Sequence, residues 1–99
     1  MAPMTKPDDD LELRRRRALW RAGHRGMREL DLVLGAYARA HVAGMDVDAM
    51  AHFESILAAA DTDLFDWVMG IAPVPVQYHG PVLEALRRSR FKPESYHGG

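Results

Sequence analysis

A chain of 99 residues forms at most one small domain, which buries about 60–65% of the surface that its unfolded state exposes. Hydrophobic residues make up 47% and the net charge is only −1, a composition that excludes an intrinsically disordered chain. The absence of cysteine excludes disulfides and thiolate metal sites, and the short apolar runs exclude membrane insertion through a spanning helix, which needs about 20 apolar residues.

The N-terminal sequence carries three consecutive acids, Asp8 to Asp10, and no apolar stretch. A secretory signal peptide needs an apolar centre and a mitochondrial presequence is poor in acids, so we expect neither. With the missing cysteines, this predicts a bacterial cytoplasmic protein.

The first helix is predicted to follow these acids, which are suitable N-cap residues, and to run from Leu11 to about Ala22. It contains the run Arg14–Arg17. Four consecutive residues point around most of the circumference of a helix, so this run does not form one basic stripe.

Two further helices show clear amphipathic spacing. The second is predicted to follow Gly26, and Gly44 and Asp46 then indicate its end and the N-cap of the third. At a spacing of three to four residues, the buried faces are predicted to contain Leu30, Val33, Leu34, Tyr37, Ala38 and His41 in the second helix, and Met50, Phe53, Ile56 and Leu57 in the third.

The C-terminal half predicts two shorter helices. Asp61–Asp63 is predicted to be a turn that supplies cap oxygens to a fourth helix, which buries Trp67 and ends near Gly70. The prolines in 71–77 favour an extended segment. Gly80 and Pro81 then suit the start of a fifth helix, which is predicted to end at about residue 90.

The predicted fold class is therefore all-α, a compact single-domain bundle of about five short helices. We expect a flexible N-terminus over residues 1–9, the helical domain over 10–91 and a flexible tail over 92–99, which has little to bury.

The junction between the first two helices has the sequence Arg25-Gly26-Met27-Arg28-Glu29. It combines a glycine, which permits close backbone approach, with displayed charges, and a guanidinium pairs well with a carboxylate. On spacing alone, the favoured interpretation is a helix-end glycine followed by a first-turn acid.

A longer pattern around this junction resembles a known family. The stretch 16–31 is similar to the small FAD assembly factors of the SdhE type, in which Arg-Gly-x-x-Glu is the signature. Phe53–Leu57 and Asp61–Trp67 resemble a second block of that family, with Ile56 where leucine is usual. The resemblance covers residues 14–76, and His24, Gly35 and 72–75 are similar to its alphaproteobacterial branch.

The resemblance implies a non-catalytic assembly factor and chaperone for respiratory complex II in the tricarboxylic acid cycle. Such a factor binds the flavoprotein subunit of succinate dehydrogenase and promotes protein flavinylation, the covalent attachment of FAD to that subunit. Whether the fumarate reductase flavoprotein is also a client stays open, and we expect a monomer when free. The predicted partner-binding residues are Arg17, Trp20, His24, Arg25, Gly26, Arg28 and Glu29.

The distribution of charge agrees with a partner surface. Residues 1–29 carry eight Lys or Arg against five acids, whereas residues 30–70 carry one against seven. An alternative is a small nucleic-acid-binding or adaptor module that uses Arg14–Arg17. Nucleic-acid binders are generally basic, whereas this chain has a pI of about 6.5 and an acidic centre, which disfavours that alternative.

Catalytic and cofactor motifs are missing from the sequence. No serine lies in a nucleophile signature and no glycine-rich phosphate loop is present. The five histidines lack metal-ligand spacing. We therefore predict no enzyme activity, no metal and no stably bound cofactor, with FAD attached to the partner.

Overall fold

The computed structural model describes residues 7–89, and within this range the chain forms α-helices and short loops without a β-strand. The helices are α1 (Pro7–Ala22), α2 (Arg28–His41), α3 (Val47–Leu57), α4 (Asp61–Met69) and α5 (Pro81–Ser89). Single 3-10 turns lie at Val42–Gly44 and Val76–Tyr78. The prediction of an all-α bundle of five short helices is confirmed, and none of the described helices combines the length and apolar character needed to cross a bilayer.

Helices α2 and α3 bury the faces that their spacing predicts. Met50, Phe53, Ile56 and Leu57 of α3 are buried, as are Leu30, Val33, Leu34 and Ala38 of α2. Tyr37 is half-buried and packs its ring 5.7 Å from that of Phe53. The last predicted member of this face, His41, is exposed and rests against Tyr37.

Helix α1 packs on α2 and α3 through small residues. Ala18 and Ala22 are fully buried, whereas Leu13, Leu19 and Trp20 are exposed. Leu11 is half-buried on the same face and also packs against the core, and the alanines let the α1 backbone lie close to its neighbours. The buried face of α1 therefore consists mainly of small residues, unlike those of α2 and α3.

The arginine run of α1 points in several directions, as predicted. Arg14 forms a double hydrogen bond to Glu54 of α3, with N···O distances of 3.0 and 2.7 Å. Arg15 donates to the carbonyl oxygen of Met45 at 2.7 Å. Arg16 and Arg17 are exposed. Half of the run thus connects α1 to the rest of the bundle.

Two predicted helix starts are wrong. The acids Asp8 to Asp10 lie inside α1, which begins at Pro7. Asp61 is the first residue of α4 rather than part of a preceding turn, and the N-cap position is Ala60, which provides no side-chain cap. The carboxylate of Asp61 instead accepts a hydrogen bond from Arg25. By contrast, Asp46 caps α3 by accepting from the backbone N–H of Ala49 at 2.8 Å, as predicted.

The C-terminal end of α4 agrees with the sequence. Gly70 follows the helix with a left-handed φ of 76°, a conformation that glycine adopts without strain. Trp67 is buried, and its ring lies 4.7 Å from that of Tyr78 beyond the proline segment. Helix α5 begins at Pro81 as predicted. The predicted flexible tail, residues 92–99, lies outside the described residues, as does most of the predicted flexible N-terminus.

Candidate functional site

The last turn of α1 carries an unusual exposed aromatic pair. The side chain of Trp20 is 63% exposed, and its ring stacks on that of His24 with centroids 4.3 Å apart and planes at 6°. The Nδ1–H of His24 donates to the carbonyl oxygen of Trp20 at 2.7 Å, which holds the two rings in register. A large aromatic side chain in water is a frequent feature of protein-binding surfaces.

Exposed arginines surround this pair. We call the exposed side chains on this face the Trp20 surface: Arg16, Arg17, Trp20, Arg21 and His24. Arg16 lies 3.8 Å from Glu12, whereas Arg17 forms no salt bridge with any residue that the structure describes. The surface therefore offers positive charge and an aromatic ring together.

The loop between α1 and α2, residues 23–27, follows directly. Gly26 has a φ of 94°, and a Cβ at this position would meet no atom of the described residues within 4 Å, its two chain neighbours aside. The positive φ is by itself a reason for glycine at this position, and the open space shows that the position faces outward. After the loop, Arg28 and Glu29 are exposed in the first turn of α2.

Arg25 does not display its charge, contrary to the expectation from the sequence. Its side chain is only 9% exposed. Its Nε donates to Asp61 at 2.8 Å, and its two terminal nitrogens donate to the carbonyl oxygens of Leu57 and Ala59 at 2.6 Å each. Asp31 accepts from the backbone N–H of Arg25 at 2.7 Å. Arg25 thus connects the loop to the junction between α3 and α4.

Two ion pairs between distant parts of the chain support the site. Arg25–Asp61 connects the loop to α4, and Arg14–Glu54 connects α1 to α3. The double hydrogen bond from the Arg14 guanidinium lowers the pKa of the Glu54 carboxyl below its usual value. Neither pair can be predicted from the sequence pattern, because their members lie 36 and 40 residues apart. The one signal for Asp61 was its place in the second block of the family resemblance.

The predicted partner-binding residues thus fall into two groups. Six are at the surface or in the open loop: Arg17, Trp20, His24, Gly26, Arg28 and Glu29. The seventh is Arg25, a loop residue whose side chain points inward to Asp61. Among the side chains that the structure describes, residues 10–88, no group of three or more His, Asp or Glu could hold a metal ion.

Comparison with known proteins gives one family. A family model described as "Flavinator of succinate dehydrogenase" matches residues 16–90. The chain is 35% identical over 79 residues to the FAD assembly factor SdhE of Acetobacter pasteurianus, covering 80% of this chain and 72% of that protein.

Mitochondrial proteins match as well. Succinate dehydrogenase assembly factor 2 of Drosophila grimshawi is 31% identical over 85 residues, covering 84% of this chain and 58% of that protein. Its counterpart from Aedes aegypti is 30% identical over 84 residues, covering 83% and 52%. The chain thus spans little more than half the length of these insect relatives. The resemblance stated from the sequence is confirmed.

Proposed function

Because this chain belongs to the family of flavinators of succinate dehydrogenase, we propose that it is an assembly factor for that enzyme. In this role it binds the flavoprotein subunit and promotes the covalent attachment of FAD to it. The observation that carries the proposal is the stacked Trp20–His24 pair, exposed among arginines and directly before the loop that contains Gly26.

The proposed binding surface consists of the Trp20 surface, the loop and the first turn of α2. Tryptophan and arginine are the residues that most often dominate binding energy at protein interfaces. Gly26 leaves room for a partner backbone to approach, and Glu29 adds one negative charge beside Arg28. The positive charge of α1 favours an acidic patch on the flavoprotein and raises the rate of encounter.

The proposed role is positioning rather than catalysis. The histidine that bonds the flavin and the flavin itself belong to the client, so the covalent chemistry does too. The factor would hold the flavoprotein in a geometry that brings these two groups together, and such preorganisation lowers the barrier without any reacting group on the factor.

We also propose that the free protein is a cytoplasmic monomer that holds no flavin, metal or nucleotide stably. The depression beside Trp20 is open to solvent, so Arg17 and its neighbours would attract the pyrophosphate of FAD only weakly. An absorbance spectrum of freshly purified protein should lack the flavin band near about 450 nm, and calorimetry with FAD alone should give no affinity tighter than about 1 mM. Stoichiometric flavin would contradict this part of the proposal.

The nucleic-acid-binding alternative is weakened by the directions of the arginine run. Arg14 and Arg15 are engaged with Glu54 and Met45, so only half of the run faces solvent. The pI of about 6.5 also disfavours a nucleic acid as the partner.

The direct test is complex formation. The purified apo flavoprotein subunit of succinate dehydrogenase, mixed with this protein, should elute from size-exclusion chromatography as a one-to-one complex. Adding FAD should then produce covalent flavin faster than in the flavoprotein alone. Repeating the experiment with the fumarate reductase flavoprotein decides whether it is a second client. No complex with either flavoprotein would overturn the proposal.

A further inference from the structure

The side chain of Arg25 donates three hydrogen bonds to groups outside its own loop. Two of the acceptors, the carbonyl oxygens of Leu57 and Ala59, belong to the C-terminal end of α3 and the turn after it. Carbonyls at a helix C-terminus carry partial negative charge and lack partners within the helix, so a guanidinium is a favourable cap there. The third acceptor, Asp61, adds a full negative charge.

These contacts leave Arg25 little capacity for a partner. Its Nε and both terminal nitrogens already donate to the chain, and its side chain is 9% exposed. Contact with a partner would require breaking hydrogen bonds to a carboxylate and two carbonyls. Recognition through the Arg25 side chain is therefore costly, whereas recognition through Gly26, Arg28 and Glu29 is not.

Arg25 holds the loop that contains Gly26 in place through two sets of contacts. The backbone N–H of Arg25 is fixed by Asp31 of α2, and its side chain is fixed by the α3–α4 junction. The next residue, Gly26, has a positive φ. Because glycine has no Cβ, it would allow many other backbone conformations if no contact held the loop in place. Order in this loop thus depends on Arg25 and, through it, on Asp61.

We propose that Asp61 is a positioning residue for the partner-binding surface. Acting through Arg25, it holds the loop in the conformation that presents Gly26, Arg28 and Glu29. A loop that is already ordered loses less conformational freedom on binding, so Asp61 raises affinity without touching the partner. This inference rests on the proposed function for its effect on binding, but its effect on the loop is independent of any partner.

The chain offers a matched control in the second ion pair. Arg14–Glu54 also joins an arginine of the N-terminal part to a carboxylate of the following helices, with side-chain exposures of 24% and 31% against 9% and 35% for Arg25–Asp61. Neither member of the control pair lies in the loop. Glu54→Ala therefore removes an interhelical ion pair while leaving the brace on Arg25 in place.

The first measurement is amide hydrogen exchange of the free protein, followed over residues 23–27. Asp61→Ala should accelerate exchange in this loop by about tenfold or more relative to the wild type, and Glu54→Ala should leave it within about twofold. Asp61→Asn, which keeps an acceptor oxygen for Nε, should fall between. Equal acceleration in Asp61→Ala and Glu54→Ala would overturn the inference.

The second measurement is the dissociation constant for the purified apo flavoprotein subunit. We expect Asp61→Ala to weaken binding by about tenfold and Glu54→Ala by less than about threefold, with partial rescue in Asp61→Asn. If the wild type binds and Asp61→Ala binds equally well, the positioning role is wrong. If the wild type itself does not bind, the proposed function fails, and the exchange experiment alone decides whether Asp61 orders the loop.

Discussion

The two tryptophans of the chain lie in regions with opposite characters. Trp67 of α4 is 8% exposed and packs on Tyr78, whereas Trp20 of α1 is 63% exposed and stacks only on His24 within the described residues. A buried ring is explained by the fold, because it contributes to the apolar core. The fold gives no such explanation for an exposed ring, which is why we propose the end of α1 as the binding surface.

Arg25 and Arg28, on either side of Gly26, show the same contrast between an inward and an exposed side chain. The side chain of Arg25 points inward to Asp61 and is only 9% exposed, and Arg28 is exposed at the start of α2 without a salt bridge in the described part of the chain. Identical side chains thus have different surroundings, and we propose that Arg25 orders the loop whereas Arg28 contacts the partner.

The largest expected effect is the loss of stability when a buried aromatic residue is replaced. Trp67→Ala should lower the free energy of unfolding by about 3–5 kcal/mol, because it removes a buried ring and leaves a cavity, and Phe53→Ala should do the same. Denaturant unfolding followed by circular dichroism measures this loss. A change below about 1 kcal/mol for Trp67→Ala would contradict its assignment to the core.

Replacing Arg25 should have the next largest effect. Arg25→Ala leaves Asp61 and two carbonyl oxygens without their donor, which should cost about 2–3 kcal/mol of unfolding free energy. Arg28→Ala is the matched control and should change stability by less than about 0.5 kcal/mol. Equal effects of the two substitutions would erase the distinction between the inward and the outward arginine.

The sequence predicted the central helices well and the directions of individual side chains poorly. In α2 and α3 the apolar spacing identifies the buried face, because one stripe meets the core. In α1 the contact is made by Ala18 and Ala22, small residues that give no strong periodic signal, so the exposure of Trp20 could not be inferred. The direction of Arg25 depends on Asp61, a contact that only the tertiary fold creates.

Two substitutions of Gly26 distinguish backbone strain from contact with a partner. Gly26→Ala and Gly26→Leu should both cost about 1 kcal/mol of unfolding free energy, because each places a side chain at a positive φ in open space. Their effects on binding should differ, since only leucine extends far into the open space where we propose that the partner approaches. Equal dissociation constants for the two variants would show that the partner does not approach Gly26.

The Arg14–Glu54 pair gives a pH dependence on the scaffold side. Because the pKa of Glu54 is lowered in the folded state, the pair stabilises the fold above the ordinary carboxyl value of 4.5, and this contribution is lost as the pH falls through the lowered pKa. Glu54→Gln should cost less than about 1 kcal/mol at pH 7 and should flatten the decline in stability as the pH falls below the ordinary carboxyl value of 4.5. An unchanged decline in Glu54→Gln would remove Glu54 as its source.

The smallest effects on stability are expected on the Trp20 surface and beside it. Trp20→Ala and Glu29→Ala should each change the free energy of unfolding by less than about 1 kcal/mol, because both side chains are exposed. Thermal unfolding of the two variants, with wild type measured in parallel, checks this. A loss comparable to that of Trp67→Ala would assign Trp20 to the fold instead of to recognition.

The most direct test of the account is calorimetric titration of the apo flavoprotein subunit with three folded proteins: wild type, Trp20→Ala and Arg87→Ala. Arg87 is an exposed arginine of α5 and serves as the control. The account predicts that Trp20→Ala weakens binding by about 2 kcal/mol or more, roughly thirtyfold, while Arg87→Ala binds like the wild type. Wild-type affinity in Trp20→Ala would contradict the claim that the end of α1 binds the partner.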